Sequence, residues 1–171
     1  MQIEIQSRPD AIQRWQELLA DPELARWPGR IETDRFGRVL MSPPPAFGHT
    51  RRTAKIIRLL LRLLPDGQAA ADTPIKTLDG IKVTDAAWFS LQYWRELADQ
   101  DPAALERAPE ICVEVLSPSN SPAEMDEKRA LYFEAGAKEV WICGLDGKVS
   151  FSTSGRFLAA SELCPQFPAQ I

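Results

Sequence analysis

The sequence predicts a single α/β domain built on a mixed sheet, and three observations carry the prediction. Residues 111–144 read as strand, helix, strand: ICVEVL, PAEMDEKRALYFEAG and EVWICG. Two strands joined through such a helix run parallel, with a right-handed crossover expected. Elsewhere, β-prone runs lie either side of tight turns, the pattern of antiparallel hairpins. A long stretch from 47 to 64 supplies a helix to cover the sheet.

The elements follow in order. Asp10 can cap a first helix that runs through AIQRWQELLA and on to Trp27, stopping at Pro28-Gly29. RIETD and RVLMS are two strands joined by a turn at Arg35-Phe36-Gly37. The helix over 47–64 places Ala54, Ile57, Leu61 and Leu64 on its apolar face. GQAAADTPIKTLDGIKVTDAAWFS reads as short strands broken at Thr73-Pro74 and at Asp79-Gly80. SLQYWRELADQ is helical. ICVEVL is short, β-branched and continuous, as suits a strand covered on both faces. Ser121 caps the next helix, with Pro122 in its first turn and Gly136 as its stop. EVWICG is a buried strand, and KVSFS an edge hairpin strand.

At 171 residues, 44% hydrophobic and 26% charged, the chain has enough apolar mass for one core and too much for a disordered protein. It divides into an N-terminal helical segment (1–28), a core (29–151) and a C-terminal extension (152–171), with no repeat or linker between them. The opening MQIEIQSRPD lacks the basic-then-apolar pattern of a signal peptide, and no apolar run approaches the ~18 residues of a membrane span. Three cysteines, without CxxC or CxxH spacing, argue against a disulfide framework and for a reducing, cytoplasmic setting. One histidine, His49, leaves no His/Cys zinc site, so any metal must be a hard ion held by carboxylates. No GxSxG pattern supports a serine hydrolase. The net charge of −4 excludes a general nucleic-acid coat but hides a division. Arg35 to Pro65 carries seven basic residues and no acidic one, whereas the remainder has 13 basic against 24 acidic.

Glu114 is the strongest anomaly: a carboxylate inside ICVEVL must find a metal, a cation or a proton, since burying it unpaired costs several kcal/mol. Asp85, in KVTDAAWFS, gains meaning from pairing with Glu114, because two carboxylates on adjacent strands can chelate one divalent ion. Lys128 and Tyr132 share a face of the following helix. A lysine aimed at the carboxylates could act on a water or a phosphate. The bland alternative, a solvated lysine beside Glu124, Asp126 and Glu127, is the stronger reading of the residues alone. Arg51, Lys55, Arg58 and Arg62, with Arg52 beside them, form a basic stripe that suits phosphate contacts or simply a solvated helix face.

EVLSPSNS followed by EKRALYFEAGAKEVWIC closely resembles the Uma2 (DUF820) family of bacterial endonucleases. RIETD, GRVLMSPPP, His49 and KVTDAAWFS agree with it upstream, so the resemblance spans roughly 30 to 145 with a weaker echo at ELCPQF. It implies a restriction-endonuclease-like PD-(D/E)xK fold, a mixed central sheet flanked by helices, and Mg²⁺- or Mn²⁺-dependent hydrolysis of DNA. Carried over by motif, Asp85 and Glu114 become the metal-binding acids, and Glu32 a third acid of the cluster. Leu116 stands where the usual lysine would be, and the resemblance moves that role to Lys128. His49 and Tyr132 become site neighbours. Thr84 replaces the usual proline and Gly144 a frequent aspartate, and neither change removes a ligand. Nucleases that cut duplexes often pair two sites, so the resemblance allows a homodimer, whose interface cannot be read from the sequence. A module of the same fold that binds nucleic acid without turnover is the alternative.

Overall fold

The computed structural model describes residues 10–171; the first nine, including the stretch read for a signal pattern, lie outside the described residues. The elements are α1 (Ala11–Leu19), β1 (Arg30–Thr33), β2 (Val39–Ser42), α2 (Phe47–Leu63), β3 (Gly67–Thr77), β4 (Gly80–Ser90), α3 (Leu91–Ala98), β5 (Ile111–Val115), α4 (Pro122–Glu134), β6 (Glu139–Cys143), β7 (Val149–Thr153) and β8 (Arg156–Leu158). Strands β3 to β8 form one six-stranded sheet in sequence order, and β1 and β2 form a separate hairpin. Only β5 and β6 pair in parallel, across α4, and every other neighbour is antiparallel. The mixed α/β sheet is therefore the one the sequence predicts.

Alternation along the central strands separates two cores. Ile111, Val113 and Val115 of β5 face α2 and the C-terminal segment, meeting Ile56, Leu60, Cys164 and Phe167. Cys112 faces the other way, toward Tyr93 of α3 and Tyr132 of α4. A third cluster joins Trp15 and Leu18 of α1 to Ile81 and Val83 at the start of β4. All three cysteines are free and buried, as small hydrophobes.

Four expectations need correction. The first helix stops at Leu19 rather than running to Trp27, because Asp21-Pro22 ends it and the Asp21 carboxylate accepts from the Glu23 and Leu24 amides of a following 3-10 turn. Thr73-Pro74 is no turn: β3 runs through it as an edge strand, and Pro74 fits because on the outer side, toward Leu105, it need only accept through its carbonyl while the Lys76 amide is the donor. On α2 the buried residues are Ile56, Leu59 and Leu60, whereas Ala54 and Leu61 are exposed. KVSFS is an interior strand, since β8 pairs beyond it.

Other local readings hold. Asp10 accepts from the Ile12 and Gln13 amides as N-cap of α1. Ser121 and Glu124 form a reciprocal capping box on α4, and Gly136 ends that helix at φ +107°. Gly80 closes the β3–β4 hairpin at φ +83°, and a Cβ there would stand 2.4 Å from the Asp34 carbonyl oxygen, so only glycine lets β1 approach this turn. Residues 152–171 supply β8, place Phe167 against Trp141, and return a strand-like bridge at Lys148–Gln170.

Candidate active site

The site forms where β4 and β5 part company. Their ladder ends at Ala86–Val113, and one step further side chains replace backbone. The Thr84 hydroxyl donates to the Val113 carbonyl (2.9 Å), and the Asp85 carboxylate accepts from the Val115 amide at 2.6 Å. The period of two along each strand puts Asp85 with Ala87, and Glu114 with Cys112, on the face covered by α3 and α4. Two carboxylates thereby meet inside the sheet, 2% and 4% exposed.

Cations and donors from three further elements converge on them. From α4, Lys128 places its Nζ 2.8 Å from Glu32 Oε1 and 3.4 Å from Glu114 Oε2. One turn on, the Tyr132 hydroxyl donates to Glu114 Oε1 at 2.6 Å. From β1, Glu32 also accepts from the Val83 amide (2.9 Å), and Arg30 Nη2 lies 2.6 Å from Asp85 Oδ1. From the first turn of α2, His49 Nε2 lies 3.3 Å from the same Asp85 oxygen. Strand β1 and both helices therefore bring charge to one point of the sheet.

Electrostatics sorts the members. Burial pushes the Glu114 carboxyl up; Lys128 pulls it back, but the neighbouring Asp85 and Glu32 charges oppose that, leaving it at about 7. Burial also raises Asp85, yet His49, Arg30 and the Val115 amide outweigh it and hold the group below the ordinary aspartate value. Burial works against charge on Lys128 and Arg30, and the carboxylates overcome it, so both are held above their usual ranges and stay protonated. Tyr132 is driven well above the usual phenol range by burial and by Glu114, so it remains a donor.

The six residues Asp85, Glu114, Lys128, Glu32, His49 and Tyr132 thus share one cluster. The solvated-lysine reading of Lys128 is overturned, because its side chain is only about a tenth exposed (11%), and Glu32 beside it is equally buried (12%). Arg51, Lys55, Arg58 and Arg62 do not join: they are exposed on the opposite face of α2, with Phe47, 80% exposed, one turn ahead of Arg51. Arg52 leaves the stripe and turns inward, donating to the Leu116 and Leu145 carbonyls at the ends of β5 and β6. Arg30 is the site residue that sequence reasoning missed. Its signal was available, since it stands two residues before Glu32 and so on the same side of the strand.

The donor set is one of hard oxygens, which suits Mg²⁺ or Mn²⁺ rather than zinc. Among the described residues no three His, Cys, Asp or Glu side chains stand together as a ready chelate. Mg²⁺ requires only one or two carboxylates and keeps its waters, so the Asp85–Glu114 pair meets that demand. Glu114 Oε2 is its least committed oxygen, with Lys128 at 3.4 Å.

Comparison with known proteins bears on the fold and the family. No curated protein matches the chain. A solved structure, that of "a putative nuclease belonging to DUF820" from Anabaena variabilis, superposes with a TM-score of 0.66 at 17% identity, covering 83% of this chain and 80% of that one. That likeness shows a common fold. The model of the Uma2 family, described as "Putative restriction endonuclease", matches residues 15–149, well over half the sequence and all six members of the cluster. This chain belongs to the Uma2 family.

Proposed function

We propose that the protein is a divalent-metal-dependent nuclease that hydrolyses phosphodiester bonds of DNA, with Asp85 and Glu114 holding Mg²⁺ or Mn²⁺. The observation that carries this reading is the meeting of two desolvated carboxylates at the β4–β5 splay, with the Lys128 ammonium 3.4 Å from Glu114. Buried carboxylates set against fixed cations cost stability, and sites of chemistry are where such costs are retained.

Each residue then has a defined task. A bound divalent ion would supply charge neutralisation at the scissile phosphate and a water of lowered pKa. Tyr132 fixes Glu114 Oε1, so that Oε2, 3.4 Å from Lys128, would be the oxygen available to hold the ion. Lys128, held by Glu32 and kept protonated, acts as a donor and a charge rather than a base: its ammonium orients the attacking water and meets negative charge on the phosphate. In the metal-free protein, His49 and Arg30 keep Asp85 ionised and oriented. Arg51, Lys55, Arg58 and Arg62, which form no ion pair among the described residues, line a solvent face of α2 suited to phosphate backbone. A homodimer would offer one such site to each strand of a duplex.

A second reading, a nucleic-acid-binding module without turnover, is favoured by the internal pairing of both acids and the lack of a ready three-ligand chelate. Plasmid and oligonucleotide cleavage with Mg²⁺ or Mn²⁺ separates the two. Wild type should cut, while Glu114→Gln and Lys128→Gln should lose at least about 100-fold in rate, the low end of what a positioned catalytic group contributes. Equal cutting by wild type and variants, or DNA binding without cutting, would reject the catalytic reading.

A further inference from the structure

Arg30 occupies an unusual position. Its single Nη2 nitrogen lies 2.6 Å from Asp85 Oδ1 and 2.6 Å from Asp72 Oδ1, while Nη1 reaches the Val83 carbonyl at 3.3 Å. The two carboxylates it bridges differ sharply, Asp85 being 2% exposed and Asp72 71%. Asp72 is held there by distorted backbone. It has φ +45°, a conformation that costs a non-glycine residue energy, and it falls at the one step of the β3–β4 ladder where no pair forms, between Ala71–Ala86 and Thr73–Thr84. The strand thus bends in mid-course at a residue that delivers a carboxylate to Arg30.

We propose that Arg30 is an exchangeable internal cation, a positioning residue that holds Asp85 while no metal is bound and passes wholly to Asp72 when a divalent cation takes Asp85. The inference rests on the metal-site reading above. Its logic is charge: a guanidinium and a divalent ion cannot both sit against Asp85 Oδ1 in a buried site without strong repulsion. An unpaired guanidinium would oppose the ion. Asp72 removes that penalty, because the same nitrogen is already within bonding distance of it and a small rotation keeps Arg30 neutralised.

Calorimetric titration of the full chain with Mn²⁺ tests this without reference to turnover. Arg30→Gln should tighten Mn²⁺ binding, by roughly tenfold, as expected for competition between coupled sites. Asp72→Asn should weaken it by about fivefold, because Arg30 is left committed to Asp85. Asparagine tolerates the left-handed backbone, so that variant changes charge without changing the strand. In the double variant the Asp72 effect should vanish, since Asp72 acts only through Arg30. An Asp72→Asn effect of equal size in both backgrounds would mean general electrostatics and would overturn the exchange. If wild type binds Mn²⁺ and Arg30→Gln binds equally or more weakly, the exchange fails while the metal site stands. If no chain binds, both fail. NMR of the Arg30 side-chain N–H groups in wild type gives the same answer without substitution: they should shift as Mg²⁺ saturates the protein, and unchanged signals at saturation overturn the proposal.

Discussion

Glu114, Lys128 and Arg30 illustrate three degrees of visibility in a sequence. A carboxylate inside ICVEVL announces itself, because its neighbours fix it in a buried strand. Lys128 does not, since its near neighbours in sequence are acidic and the lysine reads as solvated. The structure shows the missed signal: Met125, Lys128, Leu131 and Tyr132 are the buried residues of α4, so the lysine interrupts an apolar face at helical spacing. Arg30 lies between these two: its partner Asp85 is 55 residues away in sequence, and only its place two residues before Glu32 on the same side of the strand marks it.

These residues make definite predictions. Glu114 has a folded-state pKa of about 7 against 4.5 for the ordinary group. A raised carboxyl pKa favours the protonated form in the fold. Its contribution to stability is therefore full below pH 4.5 and is lost as pH climbs to about 7. The permanently neutral Glu114→Gln should gain on wild type over that window in metal-free buffer, by on the order of 2–3 kcal/mol at pH 8. Urea melts from pH 4 to 9 would show it, and a difference independent of pH would contradict it. Lys128→Met strands two buried carboxylates and should cost about 3–5 kcal/mol. Adding Glu114→Gln should recover part of that loss, a non-additivity readable from a double-mutant cycle.

At the scale of elements, α2 was located correctly but turned wrongly. Its run IIRLLLRLL is apolar nearly all round, so periodicity alone leaves the phase open. Arg51, Lys55, Arg58 and Arg62 define the solvent side, and the core face opposite them follows. Reversing Arg51 and Lys55 to glutamate should leave the fold intact, weaken DNA binding, and lower the salt dependence of affinity by about two phosphate contacts. Fluorescence anisotropy across a salt series reads that slope, and an unchanged slope would remove α2 from the DNA surface. In β3 the proline misled, because an edge strand can hold Pro74 where an interior one cannot.

Across the whole molecule, the sheet order follows from the hairpins and the one crossover, which is why the architecture was legible. The closure of the C-terminal segment was not. It depends on Glu139, a further buried carboxylate that makes none of the site's contacts. Its two oxygens accept from the Glu162 and Leu163 amides, each at 2.8 Å, and from Trp141 Nε1 and Ser161 Oγ at 2.6 and 2.7 Å. Here ICVEVL and EVWICG look alike as strands, yet one acid faces the charged cluster and the other pins the tail. Glu139→Ala should leave four donors without a partner and destabilise the chain by several kcal/mol, about 1–3 per buried group left unpaired at most. Hydrogen exchange should then accelerate first over residues 161–171. Protection that falls evenly across all strands would contradict this role.

If Asp85 and Glu114 form one divalent-metal site, a metal ion offered to the folded protein should occupy it. The most direct test is a crystal structure of the protein soaked in Mn²⁺, whose anomalous signal identifies the ion. A single ion is expected to bridge Asp85 and Glu114 Oε2 at coordination distance, roughly 2 Å as for a hard six-coordinate cation, with Lys128 still bonded to Glu32. An ion elsewhere, or none at saturating Mn²⁺ while Arg30 and Lys128 keep both carboxylates, would contradict it.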